Sequence, residues 1–257
     1  MLFLLSPAKS LDYASPIAVR AHSLPTFVAE SAELIAKLQT LTTQQVATLM
    51  DLSDALATLN VQRYAAWVPK PVAKSSRQAV MAFDGDVYGG LDARSMSEAD
   101  LQWAQQHLCI LSGLYGVLRP LDRMQPYRLE MGTRLANSKG ANLYKFWNTQ
   151  IAQYLNQRLA TDKSPVIVNL ASQEYFRAVD LKTLKVRVLE CVFEDYSSGK
   201  FKVVSFFAKR ARGLMARYAV TQRLSLPKQL QGFDLEGYVF APGASTQDRF
   251  VFRRKGA

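Results

Sequence analysis

Pro165-Val166-Ile167-Val168-Asn169-Leu170-Ala171-Ser172 (PVIVNLAS) couples an uninterrupted apolar run to a polar ending. A strand with one wet face alternates apolar and polar side chains, so this continuous Val/Ile run predicts a central strand covered on both faces. Leu2 to Leu5 is a second such run, stopped by Ser6-Pro7, and predicts another buried strand feeding a loop.

Helical spacing takes over between them. Phe27, Leu34, Ile35, Leu38 and Leu41 recur at helical intervals, and Gln44 to Trp67 continue in that style until Pro69 and Pro71 break it. Ser97-Glu98-Ala99-Asp100 is a capping-box pattern that predicts a helix to about Leu111, and Asn142 to Leu159 predicts another. Gln78 to Phe83 (QAVMAF) reads as a strand running into Asp84-Gly85-Asp86. Leu184 to Phe193 and Lys200 to Phe207 read as a hairpin, and Tyr238 to Phe240 with Phe250 to Phe252 as a closing one. Strands and helices mix along the whole length without a linker or an internal repeat. The expectation is one α/β domain over residues 1–257, with a mixed sheet flanked by helices.

Charge is where the composition departs from the ordinary. The formal net charge is +11 and the isoelectric point is near 9.7, which attracts a polyanion from a distance. From Tyr196 to Phe233 there are eight basic residues and no acidic one. On a helix from Ala208 to Leu224, Lys209, Arg210, Arg212, Arg217 and Arg223 share an arc of roughly 160°, opposite Ala211, Leu214, Met215 and Tyr218. That pattern combines a core stripe with a stripe suited to phosphate. A second acid-free stretch lies between Asp54 and Asp84. Arg249, Arg253, Arg254 and Lys255 read as a basic tail.

Other chemistries find little support. Cys109 and Cys191 lie far apart in apolar surroundings and read as buried thiols. His22 and His107 accompany no nucleophile motif, and no ligand-spaced cluster points to a metal or other cofactor. The opening MLFLL is too short for a secretory h-region or a membrane span, so the expected compartment is the cytoplasm, with no membrane partner.

Polar groups gather where strands end, and there an α/β sheet collects ligands. Ser6 and Lys9 follow the first strand, Asp86 and Tyr88 follow Phe83, and Asn169, Ser172 and Glu174 follow the central run. Gly113-Leu114-Tyr115-Gly116 resembles the hairpin of a helix-hairpin-helix element, whose amides contact DNA phosphates; Arg119, Arg123, Arg128 and Arg134 follow closely.

The strings SPAKSLDY, FDGDVY, LSGLYGVLRPLDRMQPYRLEMG, NLASQEYF and FFAKRARGLMARY together resemble the YaaA family of bacterial peroxide-stress proteins, from Met1 to about Phe240. The resemblance implies a cytoplasmic protein that limits free iron and oxidative DNA damage and binds DNA through a basic cleft. It also implies an α/β fold of its own carrying a helix-hairpin-helix-like element. Residue by residue it points to Ser6, Lys9, Gly85, Asp86, Tyr88, Gly113, Tyr115, Gly116, Arg119, Lys209, Arg212 and Arg217, with no catalytic residue.

The leading expectation is therefore a non-enzymatic binder of duplex or distorted duplex DNA with weak sequence preference. Its contacts are Ser6, Lys9, Gly113, Tyr115, Gly116, Arg119, Arg128, Lys209, Arg210, Arg212 and Arg217. The rival is an enzyme acting on a nucleic-acid base or nucleotide in a crevice lined by Ser6, Lys9, Asp86 and Glu174. Convergence of Lys9 with a carboxylate would favour the rival, and an open basic groove the binder. A third reading has the protein binding iron directly.

Overall fold

The apolar runs at the start of the chain and after Pro165 become neighbouring strands in the middle of one sheet. The computed structural model describes residues 1–163 and 165–256. Its strands are β1 (Leu2–Leu5), β2 (Ser10–Leu11), β3 (Arg77–Gln78), β4 (Phe83–Asp84), β5 (Leu108–Ser112), β6 (Gly116–Leu118), β7 (Arg123–Met124), β8 (Val166–Asn169), β9 (Arg187–Ser197), β10 (Lys200–Lys202), β11 (Val239–Phe240) and β12 (Arg249–Arg254). The α-helices are α1 (Val28–Gln39), α2 (Thr43–Met50), α3 (Asp54–Ala66), α4 (Ala79–Ala82), α5 (Asp86–Leu91), α6 (Glu98–His107), α7 (Leu143–Trp147), α8 (Gln150–Leu159), α9 (Gln173–Phe176) and α10 (Ser205–Thr221). None of the described helices is long and apolar enough to cross a membrane.

The main sheet has eight strands in the order β11-β12-β9-β8-β1-β5-β6, with β10 paired to β9. Strands β12, β9, β8, β1 and β5 are parallel, whereas β6, β10 and β11 pair antiparallel, so the sheet is mixed as expected. Every residue of β1 and β8 is buried. After β1 the chain re-enters the main sheet at β5, on one side; after β8 it re-enters at β9, on the other. The carboxyl ends of β1 and β8 therefore flank a topological switch point, where diverging connections leave a crevice.

Several local expectations need correction. The capping box at Ser97 and Asp100 forms, but α6 stops at His107, and Leu108–Ser112 is strand β5 rather than the helix's last turn. Those residues are apolar and buried throughout, so periodicity carried no signal to separate strand from helix. Consequently Gly113 to Gly116 turns a β-hairpin, and no helix-hairpin-helix forms there. QAVMAF is not one strand: Ala79–Ala82 forms a fully buried helical turn between the short strands β3 and β4. Asn148, at φ 40°, breaks the predicted 142–159 helix into α7 and α8. The strand expected through Phe207 ends at Lys202, and α10 begins at Ser205.

The basic tail is also sheet rather than tail. Strand β12 lies parallel to β9, with Arg253 Nε 2.9 Å from Glu194 Oε2 and Arg254 Nε 2.7 Å from Asp195 Oδ1. Helix α10 packs closely on α5 through bare glycine contacts. A Cβ at Gly213 would lie 1.8 Å from the Val87 carbonyl oxygen, and one at Gly90 would lie 2.3 Å from that of Arg210.

Candidate functional site

The switch point opens into a cleft of about 410 Å³. Its floor is the pair of loops that leave β1 and β8. The Ser172 amide donates to Ser6 Oγ at 2.8 Å, tying the two loops together, while Ser172 Oγ caps α9 through the Tyr175 amide. Buried Tyr88 donates its hydroxyl to the Ser6 carbonyl at 3.0 Å, and burial holds that phenol protonated. Asn169 is buried and accepts from the Ala171 amide, which shapes the β8 exit without lining the cleft.

The β1 loop is fixed further along by Asp12. Its carboxylate accepts from the Ala14 and Ser15 amides and pairs with Arg94 at 2.6 Å. Hydrogen bonds from Ser15, foremost, bring that carboxyl down to about 2. The loop is thereby held on both sides of Lys9.

One wall carries acids. Asp84 and Asp86 come from β4 and the first turn of α5, and Gly85 between them packs against Ala8. Glu130 holds Lys9, with Nζ 3.1 Å from Oε1, and the same oxygen pairs with Arg128 at 3.1 Å. Glu174 Oε1 accepts the Gly132 amide at 2.8 Å.

The opposite wall is α10, and here the predicted basic stripe divides. Arg210 is bound to Glu236, Arg217 donates to the carbonyls of Leu91 and Asp92, and Arg223 pairs with Asp100. Lys209 and Arg212 instead line the cleft, and among the described residues neither makes a hydrogen bond or an ion pair. Arg212 is partly buried, which lowers its pKa, and Glu190 attracts it only from beyond ion-pair distance. A half-buried guanidinium with every N–H free is poised for an anion, because only a charged partner offsets its desolvation.

Thus the structure brings together Ser6, Lys9, Asp86, Ser172, Glu174, Lys209 and Arg212 from the sequence reading. Arg128 stands at the edge, beside Lys9 and Glu130. Gly113, Tyr115 and Gly116 are elsewhere and buried, with Trp147 Nε1 donating to the Gly113 carbonyl at 2.9 Å. Arg119 is tied to Asp122 at 3.0 Å. Asp84 and Tyr175, from the Asp-Gly-Asp turn and the segment after the central strand, line the cleft too, whereas sequence reasoning missed Glu130 as a wall residue. Glu130 lies within QPYRLEMG, a string that carried the resemblance, but nothing local marked it as the partner of Lys9.

Comparison with known proteins is consistent across the chain. A family described as peroxide stress protein YaaA matches residues 1–244. A UPF0246 protein of Polaromonas sp. strain JS666 is 66% identical over 257 residues, covering all of both chains. One from Paracidovorax citrulli is 65% identical over 258 residues, again covering both completely. A third, from Bordetella pertussis, is 60% identical over 257 residues, with the same full coverage. With near-complete coverage by the family and end-to-end similarity to these relatives, the chain belongs to the peroxide stress protein YaaA family.

Proposed function

We propose that this peroxide-stress protein binds DNA, seating a backbone phosphate on the α10 wall of the cleft. The observation that carries the reading is the pair of cations, Lys209 and Arg212, unpaired among the described residues and one of them partly buried, in a strongly basic chain. Facing them, Asp84 and Asp86 offer acceptors to donor groups on a base edge. Any effect on free iron is indirect in this reading.

Salt dependence tests it. Each phosphate neutralised by the protein adds about 0.9 to the slope of log K against log salt, so Lys209→Gln with Arg212→Gln flattens the slope by about two units. Arg217→Gln, whose guanidinium is engaged by backbone carbonyls, leaves the slope unchanged. Equal slopes for the parent and the double variant would overturn the assignment.

A second reading has specific support. Lys9 meets Glu130 at 3.1 Å inside the cleft, the convergence expected of an enzyme acting on a nucleic-acid base or nucleotide. Turnover of such a substrate that is lost in Glu130→Gln, with DNA affinity retained, would select the enzyme.

Peroxide is not sensed through thiols in either reading. Cys109 is fully buried in β5, and burial pushes its thiol up to about 11; burial raises Cys191 in β9 further. Only the thiolate reacts readily, and burial keeps both thiols protonated at neutral pH. Native protein exposed to peroxide should keep its intact mass at both cysteines, and both should alkylate only after denaturation. Sulfenic acid at either site would contradict this.

A further inference from the structure

The hairpin β9–β10 leads directly into α10, and its surface combines bare aromatic rings with lysines. Phe206, in the first turn of α10, is 57% exposed, and Tyr196 on the hairpin is 49% exposed. Phe206 meets Phe207 in an edge-to-face pair, with centroids 5.7 Å apart and planes at 67°, and more than half of it stays open to solvent. Phe207 lies beneath the Arg254 guanidinium, which is 4.8 Å from its ring centroid. Burial therefore accounts for Phe207 and not for Phe206.

Lysines lie on both sides of Phe206 along the chain. Lys200, Lys202 and Lys209 are exposed and make no ion pair among the described residues. The acids of β9 are already engaged, Glu190 by Arg249, Glu194 by Arg253 and Asp195 by Arg254. Phe206 and Lys209 are three apart on a helix, so their Cβ atoms lie about 5–6 Å from one another. Lys209 and Arg212, again three apart, line the cleft. The row 206, 209, 212 thus runs from an open aromatic ring to the free cations of the cleft.

Aromatic rings beside a cationic track are how proteins hold unpaired bases, because every base has a face to stack while its phosphate meets a lysine or arginine. In intact duplex those faces are occupied by neighbouring pairs. We propose that Phe206 is a stacking platform for an unpaired base, so that this surface takes DNA with unpaired bases in preference to intact duplex. The proposal rests on the DNA reading above and names the form of DNA.

The test uses the full chain with a fluorescent single-stranded oligonucleotide of about 16 nucleotides, near the upper span of one such surface, and the matching duplex. Phe206→Ala should weaken single-strand binding by about 5- to 100-fold, within the range for loss of one stacked base. Duplex affinity and the salt slope should stay unchanged, since no phosphate contact is removed. Phe206→Tyr should retain the single-strand affinity and Phe206→Leu should not, which separates stacking from mere apolar area. Parent-like single-strand affinity in Phe206→Ala overturns the platform. If duplex binding still depends on Lys209 and Arg212 in that case, the DNA reading stands without it. Failure of the parent to bind either DNA removes both. A self-association that Phe206→Ala abolishes, seen by sedimentation, assigns the ring to a second copy and also overturns the proposal.

Discussion

Gly213→Val destabilises the protein by about 3 kcal/mol, the upper end of overpacking costs, and lowers its melting temperature by roughly 6–12 °C. The cause is backbone against backbone. The Cβ of any other residue at 213 would stand 1.8 Å from the Val87 carbonyl oxygen and 2.8 Å from the Leu91 amide nitrogen, and neither can step aside without moving α5. Gly90 meets the Arg210 carbonyl in the same crossing, so both helices are bare at the point of contact. Separating them also widens the cleft, because Asp86 starts α5 while Lys209 and Arg212 belong to α10. Thermal melting followed by circular dichroism reads the first effect, and DNA affinity measured well below the new midpoint reads the second. A melting temperature within about 2 °C of the parent would mean that the helices slide apart freely and that the glycines are not what sets their spacing.

Asp195→Ala carries the second large effect, a loss of about 3–5 kcal/mol, because it removes one partner of a buried ion pair and strands the other. Arg254 Nε lies 2.7 Å from Asp195 Oδ1, and the side chains are only 11% and 6% exposed. Tyr238 donates its hydroxyl to the other carboxylate oxygen at 2.8 Å. The guanidinium is sandwiched near the rings of Phe207 and Tyr238, and its Nη2 already has no hydrogen-bond partner among the described residues. Without Asp195, the nearest carboxylate left to it is Glu236, 3.9 Å from Nη1 and already holding Arg210. Urea unfolding of Asp195→Ala beside Asp195→Ala/Arg254→Met distinguishes the causes. The double variant should regain part of the loss, since the stranded charge is gone. A double variant less stable than the single one would show that the ring packing around Arg254, rather than its charge, holds this corner.

The sequence was most legible where one physical demand dominated. The short β-branched Val/Ile run at 166–168 suits the middle of a sheet, and β8 lies there beside the apolar run at 2–5 that forms β1. Ser97 and Asp100 announced a helix start because capping is satisfied within four residues of chain. Ser6, Lys9, Asp86, Ser172 and Glu174 could be read as neighbours of one crevice because strand ends in an α/β sheet are where polar side chains meet it, and all five line the cleft.

Where burial is complete, the pattern falls silent. Leu108–Ser112 and Ala79–Ala82 are buried on every side, so neither the period of a strand nor that of a helix is written into them. The glycines of 113–116 looked like a phosphate-binding hairpin because sequence shows that a side chain is absent and not what occupies its place. In the fold that space belongs to Leu129 and Trp147.

Composition and helical periodicity placed the cations of α10 on one stripe, and that much needed no coordinates. Which of them are free depends on residues far away in the chain. Glu236 takes Arg210, the end of α5 takes Arg217 and Asp100 takes Arg223, leaving Lys209 and Arg212 without a partner among the described residues. Local sequence fixes the direction in which a side chain points from its own helix; the partner that meets it comes from another element, and only the packing of α10 against α5 and the sheet chooses that partner.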